Sequence, residues 1–268
     1  MDKLVYEKRD RVAYLTINRP EAKNAIDPDV HRLMIEAWSD FRDDDDVDVA
    51  ILTGAGDAFC AGADLKTYIP PKVAGATPGE IREIVELGLN GFTRGMHRIP
   101  KPTVAAVNGW ALAGGLETAL ACDIRIASER AMLGSFEARR GFHHGDGGLV
   151  RLVNTCGVGV AMEMLLTAEP IDAQRALECN MVNRVVPHER LMEEAETVAR
   201  QILRNSQRAV RSAKQTILDV IGQPLDFQLR TEAWNAYTCA DPDETMALLE
   251  RFYDKDDAGR AGSHETAL

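Results

Sequence analysis

The chain has 268 residues, 45% of them hydrophobic, enough to bury a substantial core as one large domain or as a domain with an appendage. Acidic residues outnumber basic ones 42 to 31, and the net charge of -11 argues against a general binder of phosphate backbones. An anionic substrate must then be met by a local basic cluster. The cysteines (Cys60, Cys122, Cys156, Cys179, Cys239) are odd in number and form no Cys-x-x-Cys pair. They argue against a disulfide framework and a zinc site and fit a reducing cytoplasm.

The N-terminus passes straight into strand-like residues, so no leader is expected, and no apolar run is read as a membrane span. Leu4–Tyr6 and Val12–Ile17 read as two strands joined by a charged turn at Lys8–Asp10. Asp27 is placed to cap a helix that opens at Pro28 and runs to residue 42, with Val30, Leu33, Met34, Ala37, Trp38 and Phe41 on its core face. Asp43–Asp46 is a solvated loop rather than a metal site, because no spaced partner ligands follow. A strand over 49–53 then leads through Gly54–Gly56 into Asp57-Ala-Phe-Cys-Ala-Gly-Ala-Asp-Leu-Lys66. Residues 67–79, with three prolines and two glycines, read as a loop that serves as a lid or binding wall. Ile81, Ile84, Val85, Leu89, Phe92 and Met96 mark an amphipathic helix.

Thr103–Val107 is a buried strand that turns through Asn108-Gly109 and reaches Gly114-Gly115, where a helix starts and runs to Ala121. First-turn N–H groups have no carbonyl partner inside a helix, and the macrodipole places partial positive charge there. Glycine, with no Cβ, lets a substrate come close to those donors, so this turn can hold a developing oxyanion. An ordinary tight strand-to-helix turn would look the same. A strand over 123–127 follows, and a helix after Gly147-Gly148 reaches about residue 155. Helices are expected over 157–167, 172–178, 188–204, 206–221, 226–240 and 243–253, with a short extended piece at 182–186 and a frayed tail from Lys255. The change from strand–helix alternation to helices alone, near residue 188, is the candidate subdomain boundary. Neither a dinucleotide fingerprint nor a P-loop is present.

The Ala61-Gly-Ala-Asp64 loop and the Gly114-Gly-Leu-Glu117 helix start together resemble the crotonase (enoyl-CoA hydratase/isomerase) superfamily. Asn18–Ala25, Cys122–Ala127 and Gly147–Leu152 extend the likeness, which runs from about residue 5 to about residue 255. The resemblance implies an α/β fold: a spiral of β-β-α repeats over 1–190 and a helical region over 191–268 that packs on neighbouring subunits of a trimer or hexamer. It implies an enoyl-CoA hydratase of fatty-acid type chemistry, with coenzyme A carried by the substrate, no separate cofactor, no metal, and no nucleic-acid or membrane partner. By position, Glu117 and Glu137 fall on the two catalytic glutamates, Ala63 and Gly114 on the oxyanion-hole donors, and Gly145 on an amide that helps hold the water. Ala61, Asp64, Leu65 and Lys66 fall on the coenzyme A loop, with Lys66 near the phosphates, and Tyr68 on the acyl pocket. Glu117 at the positive end of a helix and Glu137 beside Phe136 sit in contrasting environments, which acid–base work on one substrate requires.

Three positions depart from the hydratase pattern. Phe136 and His144 stand where proline is usual, and Asp146 where a small residue is common. His144 or Asp146 is therefore expected to face the acyl pocket and add a titrating group or meet a polar acyl chain. An isomerase or thioester hydrolase on the same scaffold remains the alternative. A non-catalytic relative that binds RNA or protein fits less well with the acidic charge and the two glutamates.

Overall fold

Short apolar runs such as Val49–Leu52 and Thr103–Val107 lack polar alternation because both of their faces are buried, as in a covered parallel sheet. The computed structural model describes residues 2–69, 71, 75–94 and 99–264. Strands β1 (Leu4–Arg9) and β2 (Val12–Ile17) pair antiparallel. From β2 the sheet continues in parallel through β3 (Val49–Gly54), β5 (Thr103–Val107), β7 (Ile124–Ser128) and β10 (Arg184–Val186). A second sheet orders β4 (Ala58–Cys60), β6 (Trp110–Leu112), β8 (Met132–Gly134) and β9 (Ile171–Asp172). Each of its first three strands follows a strand of the large sheet, giving the β-β-α repeats of the expected spiral. None of the four is longer than three residues, too short to display a period of two in sequence.

Helix α1 (Pro28–Asp43) starts where expected, with the Asp27 carboxylate accepting from the Val30 N–H at 2.8 Å. Its Trp38 stacks on Phe92 with ring centroids 4.3 Å apart. The expected loop over 67–79 is partly helical, since Ile69, Pro71 and Gly75 have helical backbone. Helix α2 (Pro78–Leu87) opens with a Thr77–Glu80 capping box and stops at Gly88, φ 69°. Leu89 and Phe92 thus lie beyond it, and Ile81 and Val85 are exposed rather than core. Met96 lies outside the described residues.

Helix α3 (Gly114–Ala121) is buried along its whole length. Helix α4 (Gly148–Thr167) joins the two helices expected there across a break at Gly157, φ 79° and ψ 165°. By length and composition this 20-residue helix is apolar enough to cross a membrane, which corrects the reading that no run is. One such helix is weak grounds for a membrane location, and the break divides it.

After α5 (Ala173–Glu178), helix α6 (Leu191–Leu203) lays Leu191, Ala195, Val198 and Ala199 on Val12, Val49, Ile51 and Val104 of the large sheet. Consequently the chain divides between Arg204 and Asn205 rather than between 190 and 191. The second unit contains α7 (Gln207–Val220), α8 (Leu225–Thr238) and α9 (Pro242–His264). Within it, Asn235 Nδ2 donates to Thr216 Oγ1 at 2.9 Å. Helix α9 runs to His264, past the frayed tail expected from Lys255.

Candidate active site

The turn from β6 into α3 is held in an uncommon backbone state. Ala113 has φ 52° and ψ -124°, fixed by its N–H on the Gly134 carbonyl at 2.9 Å and by the Glu117 N–H on its own carbonyl at 3.1 Å. At Gly115 a Cβ would stand 1.9 Å from the Cys60 carbonyl oxygen, so a bare α-carbon is required for β4 to meet α3. That approach brings the Ala61–Asp64 loop alongside the helix start, where the Ala63 nitrogen lies 3.4 Å from the position of a Cβ on Gly114. The loop is pinned by Ile26 N–H on the Gly62 carbonyl at 2.8 Å and Asp64 N–H on the Ile26 carbonyl at 2.9 Å. Neither the Ala63 nor the Gly114 N–H donates to an acceptor among the described residues.

Both candidate carboxylates open onto one cavity of about 380 Å³. Ala63 and Gly114 line it with them, as do Ala61, Leu65 and Tyr68. Gly145 and Asp146 form a further part of the wall, and Leu89, Leu112 and Phe136 make it apolar. Three expected site residues are not on that wall. Lys66 is exposed to solvent. Asp64 spends its carboxylate on the Lys66 and Thr67 N–H groups, at 2.8 and 3.1 Å, and on Arg19 at 3.2 Å. Burial opposes ionisation of Asp64, but those donors outweigh it and hold its pKa below the usual carboxylate value. Its part is to shape the loop.

The third is His144: the sequence expectation is that His144 or Asp146 faces the acyl pocket, and of the two it is Asp146 that lines the cavity. The His144 side chain is fully buried, with Nδ1 2.8 Å from Glu137 Oε1 and 3.1 Å from Glu117 Oε1. The ring rests on the backbone of Gly148, where a Cβ would come within 2.4 Å of Nδ1. Burial works against a charged ring here; the two carboxylates outweigh it and push the pKa up to about 9.

Glu117 Oε1 also accepts the Asp146 N–H at 2.8 Å and the Gly148 N–H at 3.0 Å. Its Oε2 has no partner among the described residues. Glu137 lies in a short 3-10 turn, Glu137–Arg140, and its Oε2 accepts from Ser135 Oγ at 3.2 Å. Asp146 Oδ1 accepts the Leu89 N–H at 2.8 Å and Thr93 Oγ1 at 3.1 Å, while burial and the Glu117 charge raise its pKa. The Gly145 carbonyl is taken by Arg94. Glu117, Glu137 and His144 offer ligand atoms within 4.8 Å of one another, a spacing that also suits a cation.

Sequence reasoning missed Gly148, Ser135, Thr93 and Arg19 as supporting residues. Gly148 was within reach: the logic applied to the Gly114 helix start, orphan N–H groups facing an anion, holds equally for the Gly147-Gly148 helix start. The others come from distant segments and carry no local signal.

A family model described as Enoyl-CoA hydratase/isomerase matches residues 7–259. A short-chain-enoyl-CoA hydratase of Clostridium acetobutylicum is 36% identical, over 95% of this chain and 96% of its own. An (E)-benzylidenesuccinyl-CoA hydratase of Thauera aromatica is 38% identical over 83% of this chain and 84% of its own. The crystal structure of an enoyl-CoA hydratase from Bacillus anthracis superposes with a TM-score of 0.83 at 34% identity, covering 95% of this chain and 97% of that one.

Proposed function

The chain belongs to the enoyl-CoA hydratase/isomerase family, and from that premise we propose that it adds water reversibly across the C2=C3 double bond of an enoyl-CoA thioester. The observation that carries this reading is the opening of Glu117 and Glu137 onto one cavity beside the paired N–H groups of Ala63 and Gly114. Those two amides receive the thioester oxygen as negative charge gathers on it, supported by the positive end of α3. Glu117, with one oxygen held by two backbone N–H groups and the other unoccupied, takes the proton of a water that attacks C3. Glu137 supplies the proton at C2, and the amide of Gly145 helps hold the water. Coenzyme A runs along Ala61–Lys66, with Lys66 at its phosphates and the acyl chain among Tyr68, Leu89 and Phe136.

Arg140 and His143 also border the cavity, which suits an acyl chain with a polar end, as the succinyl part of the benzylidenesuccinyl group in the Thauera relative's name would be. Exposed apolar residues of the 205–268 unit, among them Leu225, Phe227, Trp234 and Tyr237, suit burial between copies of the chain in a trimer or hexamer. A reducing cytoplasm fits the five free cysteines. The test is hydration of enoyl-CoA thioesters of graded length and polarity, followed by loss of the conjugated thioester's ultraviolet absorbance. Absorbance that stays constant across the whole panel would sink the reading.

A further inference from the structure

The imidazole of His144 occupies the space between two carboxylates that the proposed hydration uses, yet it never reaches the cavity wall. A buried base in that position calls for an account. Its nearest titrating partners are Glu117 on α3 and Glu137 in the 3-10 turn. Asp146 from its own loop and Arg151 on α4 bear on Glu117, with Arg94 3.7 Å from Asp146 and His143 bonded to the His144 carbonyl at 2.7 Å. Neither ring nitrogen makes an aligned hydrogen bond among the described residues, but Nδ1 meets a carboxylate oxygen of each glutamate, at 2.8 and 3.1 Å, so the ring communicates through Nδ1 once those contacts align with substrate bound. A bound cation is the poorer explanation of this cluster. Glu117 Oε1, the oxygen that faces Nδ1, already accepts two backbone N–H groups, which leaves it little capacity for a metal.

We propose that His144 is a positioning residue that relays a proton between the two glutamates, resetting them after every turnover. This rests on the hydratase reading above. The cycle balances. The imidazolium gives its Nδ1 proton to Glu137, 2.8 Å away, and Glu137 passes that proton to C2 of the substrate. Water adds its hydroxyl to C3 and leaves its proton on Glu117. The Glu117 carboxyl group then turns to exchange its two oxygens, bringing the protonated one to Nδ1, which Oε1 meets at 3.1 Å, and the imidazolium is restored. One water is consumed and no net proton is taken from bulk solvent.

The test compares the whole enzyme with His144→Gln, which keeps a hydrogen-bond donor but cannot carry a proton, and with His144→Pro. Crotonyl-CoA hydration is measured from pH 6 to 10, with thermal melting to establish that each variant is folded. The wild-type kcat falls as the pH rises through about 9. His144→Gln loses that limb and about 10- to 100-fold in kcat, with KM changed less than about twofold. His144→Gln with an unaltered pH profile and kcat overturns the relay. Nitrogen NMR of the His144 ring supplies a readout independent of turnover: an imidazolium at pH 7 supports the proposal, and a neutral ring refutes it. A wild type with no hydratase activity but a charged ring would instead sink the hydratase reading and the relay built on it, while leaving the imidazolium clamp in place.

Discussion

Alkaline pH should loosen this fold through one buried ring. His144 binds its proton with a pKa near 9 in the folded chain, against an ordinary value of 6.5. Each pKa unit corresponds to about 1.4 kcal/mol, so the protonated cluster contributes on the order of 3 kcal/mol to stability. The sign follows from tighter proton binding in the folded state. The contribution is complete below about pH 6.5 and disappears as the pH rises through about 9. Other groups also titrate in that range, so the quantity to measure is the difference between wild type and His144→Gln. At roughly 2 to 4 °C per kcal/mol for a chain of this size, the wild-type advantage in melting midpoint should shrink by about 6 to 12 °C between pH 6 and pH 10. Circular dichroism melts at four or five pH values suffice. Two curves that run parallel across the interval would refute the clamp between Glu117 and Glu137.

Three further outcomes are expected. Glu117→Gln and Glu137→Gln should each lower kcat for enoyl-CoA hydration by about 10²- to 10⁴-fold with a small change in KM, read by steady-state kinetics. Gly115→Ala should destabilise the chain by about 1 to 3 kcal/mol, seen as a lower urea midpoint, because its methyl group would stand 1.9 Å from the Cys60 carbonyl. Asp64→Asn should weaken stability above about pH 4 but not in strong acid. The depressed pKa of Asp64 means its contribution is present at neutral pH and lost as the pH falls through the folded-state value.

Much of the architecture was legible because it rests on local signals. Asp27 capping Pro28, the Gly114-Gly115 helix start and the interruption at Gly157 are each written in a few adjacent residues. The second sheet was not, since strands of two or three residues carry no readable period and are stabilised by partners 20 to 50 positions away. Likewise α6 reads as one more C-terminal helix, and only its contacts with Val49 and Val104 assign it to the sheet. At the site, the sequence brought Glu117, Glu137, Ala63 and Gly114 together through family motifs. It offered His144 or Asp146 for the pocket wall, and Asp146 lies there while the His144 ring turns inward to the two glutamates. Which way that ring turns is decided by the absence of a side chain at Gly148, four residues on, and by two acids from other segments.

The backbone grip on Glu117 ties chemistry to loop order. The same oxygen that leans toward the imidazole also gathers the amides of Asp146 and Gly148, so it serves as the knot that closes the 141–148 loop over α3. Cutting that knot with alanine would silence the reaction and unravel the loop at once, whereas glutamine, whose carbonyl can still gather both amides, would separate the two losses. An inactive enzyme with a well-ordered loop is therefore obtainable from this chain by one atom's exchange.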